Sequence, residues 1–271
     1  MNNPNIINSI YNMRLLDEAA LKTTAVHRIH PLVKLVTTLA YLVVVVSFGK
    51  YETGRLLPFL FYPVVIFAFA ELPVISMLKR ILIVEPLIIG IGILNPLFDR
   101  QAVMFAGVLV PGGWVAFLSI FIKCSLTVTA ALLLIATTGM DKLALALRML
   151  KVPRLFVLQL LLTYRYISVL MEEVGRSLKA YSLKAPEHKG VQRSAWGPLA
   201  GQLILRTFDR AQRVYQAMCL RGFNGEYNTG GNIRLRSADL GYLAGWVLLF
   251  ISLKRYDIPL IIGSLLTGVV K

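Results

Sequence analysis

Cysteine, histidine and acidic side chains are scarce in this chain, and each scarcity excludes something. Across 271 residues there are two cysteines, three histidines and 14 Asp and Glu against 29 Lys and Arg. Cys124 lies in an apolar run and Cys219 in a basic block, so no disulfide framework is expected. His27 and His30 could sit on one helical face with Asp17 or Glu18 within reach, but no nearby cysteine or third histidine completes a set. Transition-metal sites generally need three or more ligands, so no metal is assigned to this chain. No nucleophile–base arrangement and no GxxxxGK[ST] motif occurs, so the chain is read as non-catalytic and any ATP chemistry belongs to another protein. The first thirty residues hold no continuous apolar core of the kind a cleavable signal needs.

Charge of any kind is also sparse. Only 16% of residues are charged while 56% are hydrophobic, and mean hydropathy is +0.67. A soluble domain carries about a quarter charged residues. Long apolar runs recur at Pro31–Phe48, Leu56–Ala70, Ile81–Phe98 and Trp114–Thr138. Two shorter ones, Leu240–Leu253 and Ile258–Val270, follow a basic block. The pattern predicts an all-α, polytopic integral membrane protein with about five to six transmembrane helices. Three regions are expected: a membrane region over 1–139, a non-membrane segment over 140–236 and a second membrane region over 237–271.

Details of the spans carry their own expectations. Glu85, Pro86 and Pro96 interrupt the third run, and "DRQAVMFAGVLVPGGW" after it reads as an external loop. Leu155–Met171 carries Arg165 mid-run and reads as a long helix lying at or emerging from the membrane. Glu85 and Lys123 are intramembrane charges, which are functional candidates by default. The plainer reading, an interhelical pair or a snorkelling lysine, is preferred because no chain of further acids accompanies them. Lys34 is expected at the interface.

The excess of 15 positive charges concentrates between apolar runs rather than alternating with aromatics, which excludes a nucleic-acid groove. From Glu173 to Arg236, eleven Lys and Arg face four Asp and Glu. That bias places this segment and the N-terminus in the cytoplasm of a multi-pass cell-membrane protein.

Within the basic segment, one pattern occurs twice. "RSLKAYSLKAP" sets Arg176, Ala180 and Lys184 four residues apart, and "RVYQAMCLRGF" does the same with Arg213, Ala217 and Arg221. At 100° per residue each trio forms one stripe. Ile167, Leu170, Val174, Leu178 and Tyr181 oppose the first stripe; Ile204, Phe208, Ala211, Tyr215 and Met218 oppose the second. Alanine between two long cationic arms leaves a flat place where another backbone can approach. Gly222 stands where a left-handed residue commonly ends a helix, with Ala185 and then Pro186 in its place in the first copy. Anionic lipid would attract any such helix, at about 1 kcal/mol per cation. It has no use for a repeated alanine, so docking on an acidic protein groove is the reading preferred.

Alanine, three residues, then a basic and a small residue, in two cytoplasmic copies, resembles the coupling helices of the transmembrane T component of energy-coupling factor (ECF) transporters. "AMCLRGF" matches that Ala-Arg-Gly-like signature well, and "AYSLKA" more loosely, with Lys184 and Ala185 for arginine and glycine. "HPLVKL" at His30–Leu35 resembles the opening of that family's first span, closer to its cobalt/nickel branch (CbiQ-type), and "LLLTYRYISVLMEEV" its approach to the first coupling helix. The resemblance runs from about Leu16 to Glu226. It implies a non-catalytic subunit of an ABC-type importer for cobalt or nickel. Such a subunit joins two ATP-binding cassette ATPases, which bind the ATP, to a small substrate-binding membrane subunit. It also implies docking roles for Arg176, Ala180, Lys184, Ala185, Arg213, Ala217, Arg221 and Gly222. Two other classes compete. A self-contained secondary transporter or channel needs repeated spans around a polar site. A lipid-modifying membrane enzyme needs a clustered His/Asp/Glu site. Neither feature is visible.

Overall fold

A computed structural model of the chain describes residues 20–256, apart from 23, 73, 100–101, 106–107, 186–189 and 226–234. The described residues are overwhelmingly helical, and the chain is an all-α multi-pass membrane protein. Among the described residues, five helices are long and apolar enough to cross a membrane: Thr53–Ala70, Met77–Phe98, Gly112–Thr138, Arg154–Lys184 and Ser237–Arg255, with Pro31–Val46 a shorter apolar helix. The expected run at 258–270 lies outside the described residues. The chain divides into two compact units, one of residues 19–139 with 232–271, the other of 140–231 with 1–18.

The first unit is built around α2 (Pro31–Val46), which follows the single turn α1 (Ala25–Arg28). Pro31 opens α2 because its fixed φ suits the first helical position and its missing N–H would be unpaired there anyway. Next comes α3, Thr53–Ala70, whose middle turn Leu57–Leu60 tightens to a 3-10 helix beside Pro58. Then α4 (Val74–Gly92) runs into the single turn α5 (Leu94–Phe98). The helix passes through Pro86 instead of stopping there, contrary to the break expected from sequence. Without water to hydrogen-bond free backbone groups, a membrane segment tolerates a missing bond better than an unwound turn.

The expected external loop contains an antiparallel hairpin, β1 (Ala102–Phe105) with β2 (Val108–Pro111), in the register Val103↔Val110 and Phe105↔Val108. It leads into α6 (Gly112–Thr138). At Gly113 a Cβ would fall 2.6 Å from the Pro96 Cα and 2.7 Å from the carbonyl oxygens of Asn95 and Asp99, so only glycine lets α6 start against the end of α5. The last described helix of this unit is α10 (Ser237–Arg255).

Aromatic rings hold α2, α3 and α10 together. Tyr41 is fully buried, 4.6 Å from Tyr62 and 5.4 Å from Phe250 between ring centroids, and its hydroxyl donates to the Phe59 carbonyl at 3.0 Å. Tyr62 meets Trp246 edge-on at 4.8 Å. Such pairs add roughly 0.5–1.5 kcal/mol each beyond burial of their area.

Two lysines join α2 to α6 in a reciprocal way. Lys34 is buried, and its Nζ donates to the Thr137 carbonyl at the end of α6, at 2.8 Å. Lys123, half-way along α6, donates to the Phe48 and Gly49 carbonyls beyond the end of α2, at 2.7 and 3.1 Å. Each antiparallel helix therefore supplies a cation to carbonyls at or just past the other's C-terminal end, and at Thr137 the helix dipole favours the positive charge. Lys123 accordingly does not seek Glu85, which sits half-buried on α4.

The second unit contains α7 (Met140–Met149), α8 (Arg154–Lys184) and α9 (Arg193–Leu220). Ala144, Val157 and Leu161 form the buried seam between α7 and α8, with Leu147, Val152 and Leu160 against it. At 31 residues α8 is roughly 46 Å long. That exceeds the roughly 30 Å hydrocarbon layer, in keeping with a helix that emerges from it.

Candidate functional site

Both cationic stripes lie near helix C-termini of the second unit. Arg176, Ala180 and Lys184 are exposed on the last turns of α8, and Arg213, Ala217 and Arg221 are exposed at the end of α9. A cation in the last turn meets the negative end of the helix dipole, which favours both Lys184 and Arg221 where they stand.

The two ends close differently. In α9 the Phe223 N–H donates to the Met218 carbonyl and the Gly222 N–H to the Cys219 carbonyl, both at 3.0 Å, with Gly222 at φ +80°. This is the Schellman arrangement that Gly222 led one to expect. It leaves Arg221 as the cap residue, directly before a reversal of the chain. In α8 the cap is Ala185, half-buried, at φ −129°, its N–H bonded to the Tyr181 carbonyl at 3.0 Å. Pro186 lies outside the described residues.

The faces opposite the stripes differ as well. On α8, Ile167, Leu170, Val174, Leu178 and Tyr181 are all half-buried, as the periodicity predicts. On α9 the expected apolar face is largely uncovered: Ile204, Phe208 and Tyr215 are each at least 60% exposed. The half-buried residues of α9 are Ala195, Leu199, Leu203, Thr207, Val214 and Met218, a stripe displaced from Ile204, Phe208 and Tyr215 toward the cationic face. Thus α9 leans with its flank, and α9 has no fully buried residue.

An acidic residue absent from the sequence-derived set joins the stripes. The Glu173 carboxylate accepts from Arg206 of α9 and pairs with Arg176 of its own helix at 3.2 Å. Arg176 is therefore held along α8, while Lys184 and Arg221 sit beyond this junction. Glu173 is one of only four acids in the basic block, and that rarity was the signal for it. A second tie runs from the Gln192 N–H at the start of α9 to the Tyr181 hydroxyl at 3.4 Å. Among the described residues no group of three His, Cys, Asp or Glu could hold a metal ion.

A family model described as cobalt transport protein (CbiQ) matches residues 22–230, which takes in both stripes and the membrane helices before them. The chain belongs to the CbiQ family. A curated relative from Methanocaldococcus jannaschii, itself described as an uncharacterized protein, is 24% identical over 200 residues, covering 69% of this chain and 68% of that one. As a CbiQ-family protein with five candidate membrane spans, the chain is a multi-pass membrane component of cobalt transport.

Proposed function

We propose that this CbiQ-family protein is the coupling subunit of an ECF-type ABC importer for cobalt or nickel. Its α8 and α9 ends dock on two cytoplasmic ATPases, and its membrane helices carry a small substrate-binding membrane subunit. ATP binding and hydrolysis stay with the ATPases. The observation that carries this reading is the pair of exposed alanine-spaced cationic stripes, each ending at a helix C-terminus. The charge bias of 173–236 supports a cytoplasmic position for both ends and for the N-terminus. Arg221 presents a planar fork suited to a carboxylate, whereas Lys184 presents a point charge, so the two dockings are expected to differ in strength.

The test is ATP-driven uptake of radioactive cobalt, with nickel as competitor, by vesicles holding the chain with its candidate ATPases and substrate-binding subunit. Uptake should require ATP and fail in Arg221→Glu. Uptake by the chain alone, driven by an ion gradient, would instead mark a self-contained transporter. A second reading draws support from the exposed Ile204, Phe208 and Tyr215 beside the α9 cations: that α9 rests on anionic lipid. In that case Arg221→Glu weakens vesicle binding and leaves uptake unchanged.

A further inference from the structure

Asp239, Lys34 and His30 are buried charged or polar groups that docking does not use, with 5%, 5% and 1% of their surfaces exposed. Asp239 lies in the first turn of α10. One carboxylate oxygen accepts from the His30 N–H at 3.0 Å, and the other accepts from the Arg236 N–H at 2.9 Å. His30 and Arg236 are the cap residues of α2 and α10, so one carboxylate, 209 positions from His30, serves two helix N-termini. Both are ends at which the helix dipole favours negative charge. Beside it, Lys34 holds the Thr137 carbonyl in the last turn of α6. The His30 ring accepts from the Leu32 N–H at 3.2 Å, and one turn deeper Thr38 and Tyr62 share a hydrogen bond at 3.3 Å. Three helix ends are tied by two buried charges.

The location of this clasp gives it meaning. The chain passes between its two units at 18/19, 139/140 and 231/232. Gly139 follows Thr137 by two residues, and a Cβ there would lie 3.2 Å from the Ala20 Cβ. Arg236, five residues after the third crossing, is bound to Asp239 directly. The crossing at 139/140 therefore follows the clasp's Thr137 by two residues. The other lysine tie, Lys123 on Phe48 and Gly49, lies fourteen residues before Thr137 along α6.

We propose that Lys34 and Asp239 are positioning residues for coupling: they lock the ends of α2, α6 and α10 into one rigid block, so that displacement of the cationic helices moves three membrane helices together instead of bending one. The proposal rests on the coupling role above. A backbone carbonyl or N–H stripped of a buried charged partner has no water to turn to, so the block does not loosen under load.

The experiment reconstitutes the complex with its ATPases and substrate-binding subunit and measures cobalt taken up per ATP hydrolysed. Asp239→Asn, Lys34→Met and Lys123→Met are compared with wild type. Asp239→Asn keeps the size of the side chain but replaces one accepting oxygen by a donor facing another donor. Asp239→Asn and Lys34→Met are expected to assemble and hydrolyse ATP as wild type does, while moving about tenfold less cobalt per ATP. Lys123→Met should lower thermal stability and leave that ratio unchanged. Lys34→Met carries the test if Asp239→Asn does not assemble. An unchanged ratio in the clasp variants, or an equal fall in Lys123→Met, overturns the proposal while leaving the coupling role intact. Wild type that shows no ATP-driven uptake overturns the coupling role and this inference with it.

Discussion

Replacing Lys123 by methionine keeps the length and apolar stem of the side chain and removes only the cation that caps α2. Two acceptors lose their donor, the Phe48 carbonyl at 2.7 Å and the Gly49 carbonyl at 3.1 Å. They are not equivalent. Phe48 is buried, so its carbonyl is left without water, whereas Gly49 is exposed and water replaces the ammonium there. A hydrogen bond to a charged group contributes about 1.5–3 kcal/mol, and only the Phe48 bond counts in full. Methionine returns part of this by sparing the cost of holding a charge among apolar groups. The net loss is about 2 kcal/mol, or roughly 30-fold in the unfolding equilibrium. Equilibrium unfolding in bicelles, followed by tryptophan emission, measures it. Fourteen residues separate Lys123 from Thr137 on α6, roughly 21 Å, so Lys34→Met should add to Lys123→Met without interaction. A Lys123→Met protein as stable as wild type would refute the claim that the lysines hold α2 and α6 in register.

Two further outcomes are expected. Gly222→Ala meets no steric obstacle, since nothing lies within 4 Å of the added Cβ, but alanine at φ +80° costs about 1 kcal/mol and should weaken ATPase binding roughly fivefold in titration without altering helix content. At the other end of the membrane unit, the hydrogen bonds of Lys50 to Tyr51 and then to Asp99 push its ammonium above the usual lysine range. That tie is fully present below the ordinary lysine pKa of about 10.4 and is lost as pH rises through the raised value. An alkaline melting series should therefore show a limb that Lys50→Met lacks.

The membrane helices were legible because a run of apolar residues longer than a bilayer needs has few other uses. The Gly222 cap was legible because few residues besides glycine take a left-handed turn after a helix. Lys34 and Lys123 were not, for a definite reason: their partners are backbone carbonyls 103 and 75 positions away, and a carbonyl has no letter in a sequence. Asp239 escaped for the same reason, its partners being N–H groups. The packing of α9 was not legible, because periodicity reveals an apolar face but not whether anything covers it. The role of Glu173 was not legible because its partner Arg206 lies 33 positions away on another helix. The hairpin at 102–111 was read as a loop, since it ends in Pro111 and two glycines follow it directly.

The central claim is that the two stripes are plugs for ATPases, and co-purification tests it most directly. The chain, tagged and extracted with its candidate ATPases, is compared as wild type, Arg221→Glu, Lys184→Glu and the double variant, with membrane insertion checked in each. Wild type should retain both ATPases, each single reversal should weaken retention, and the double reversal should abolish it while the protein still inserts. Retention of the ATPases by the double variant, or their absence from wild type, would contradict the claim.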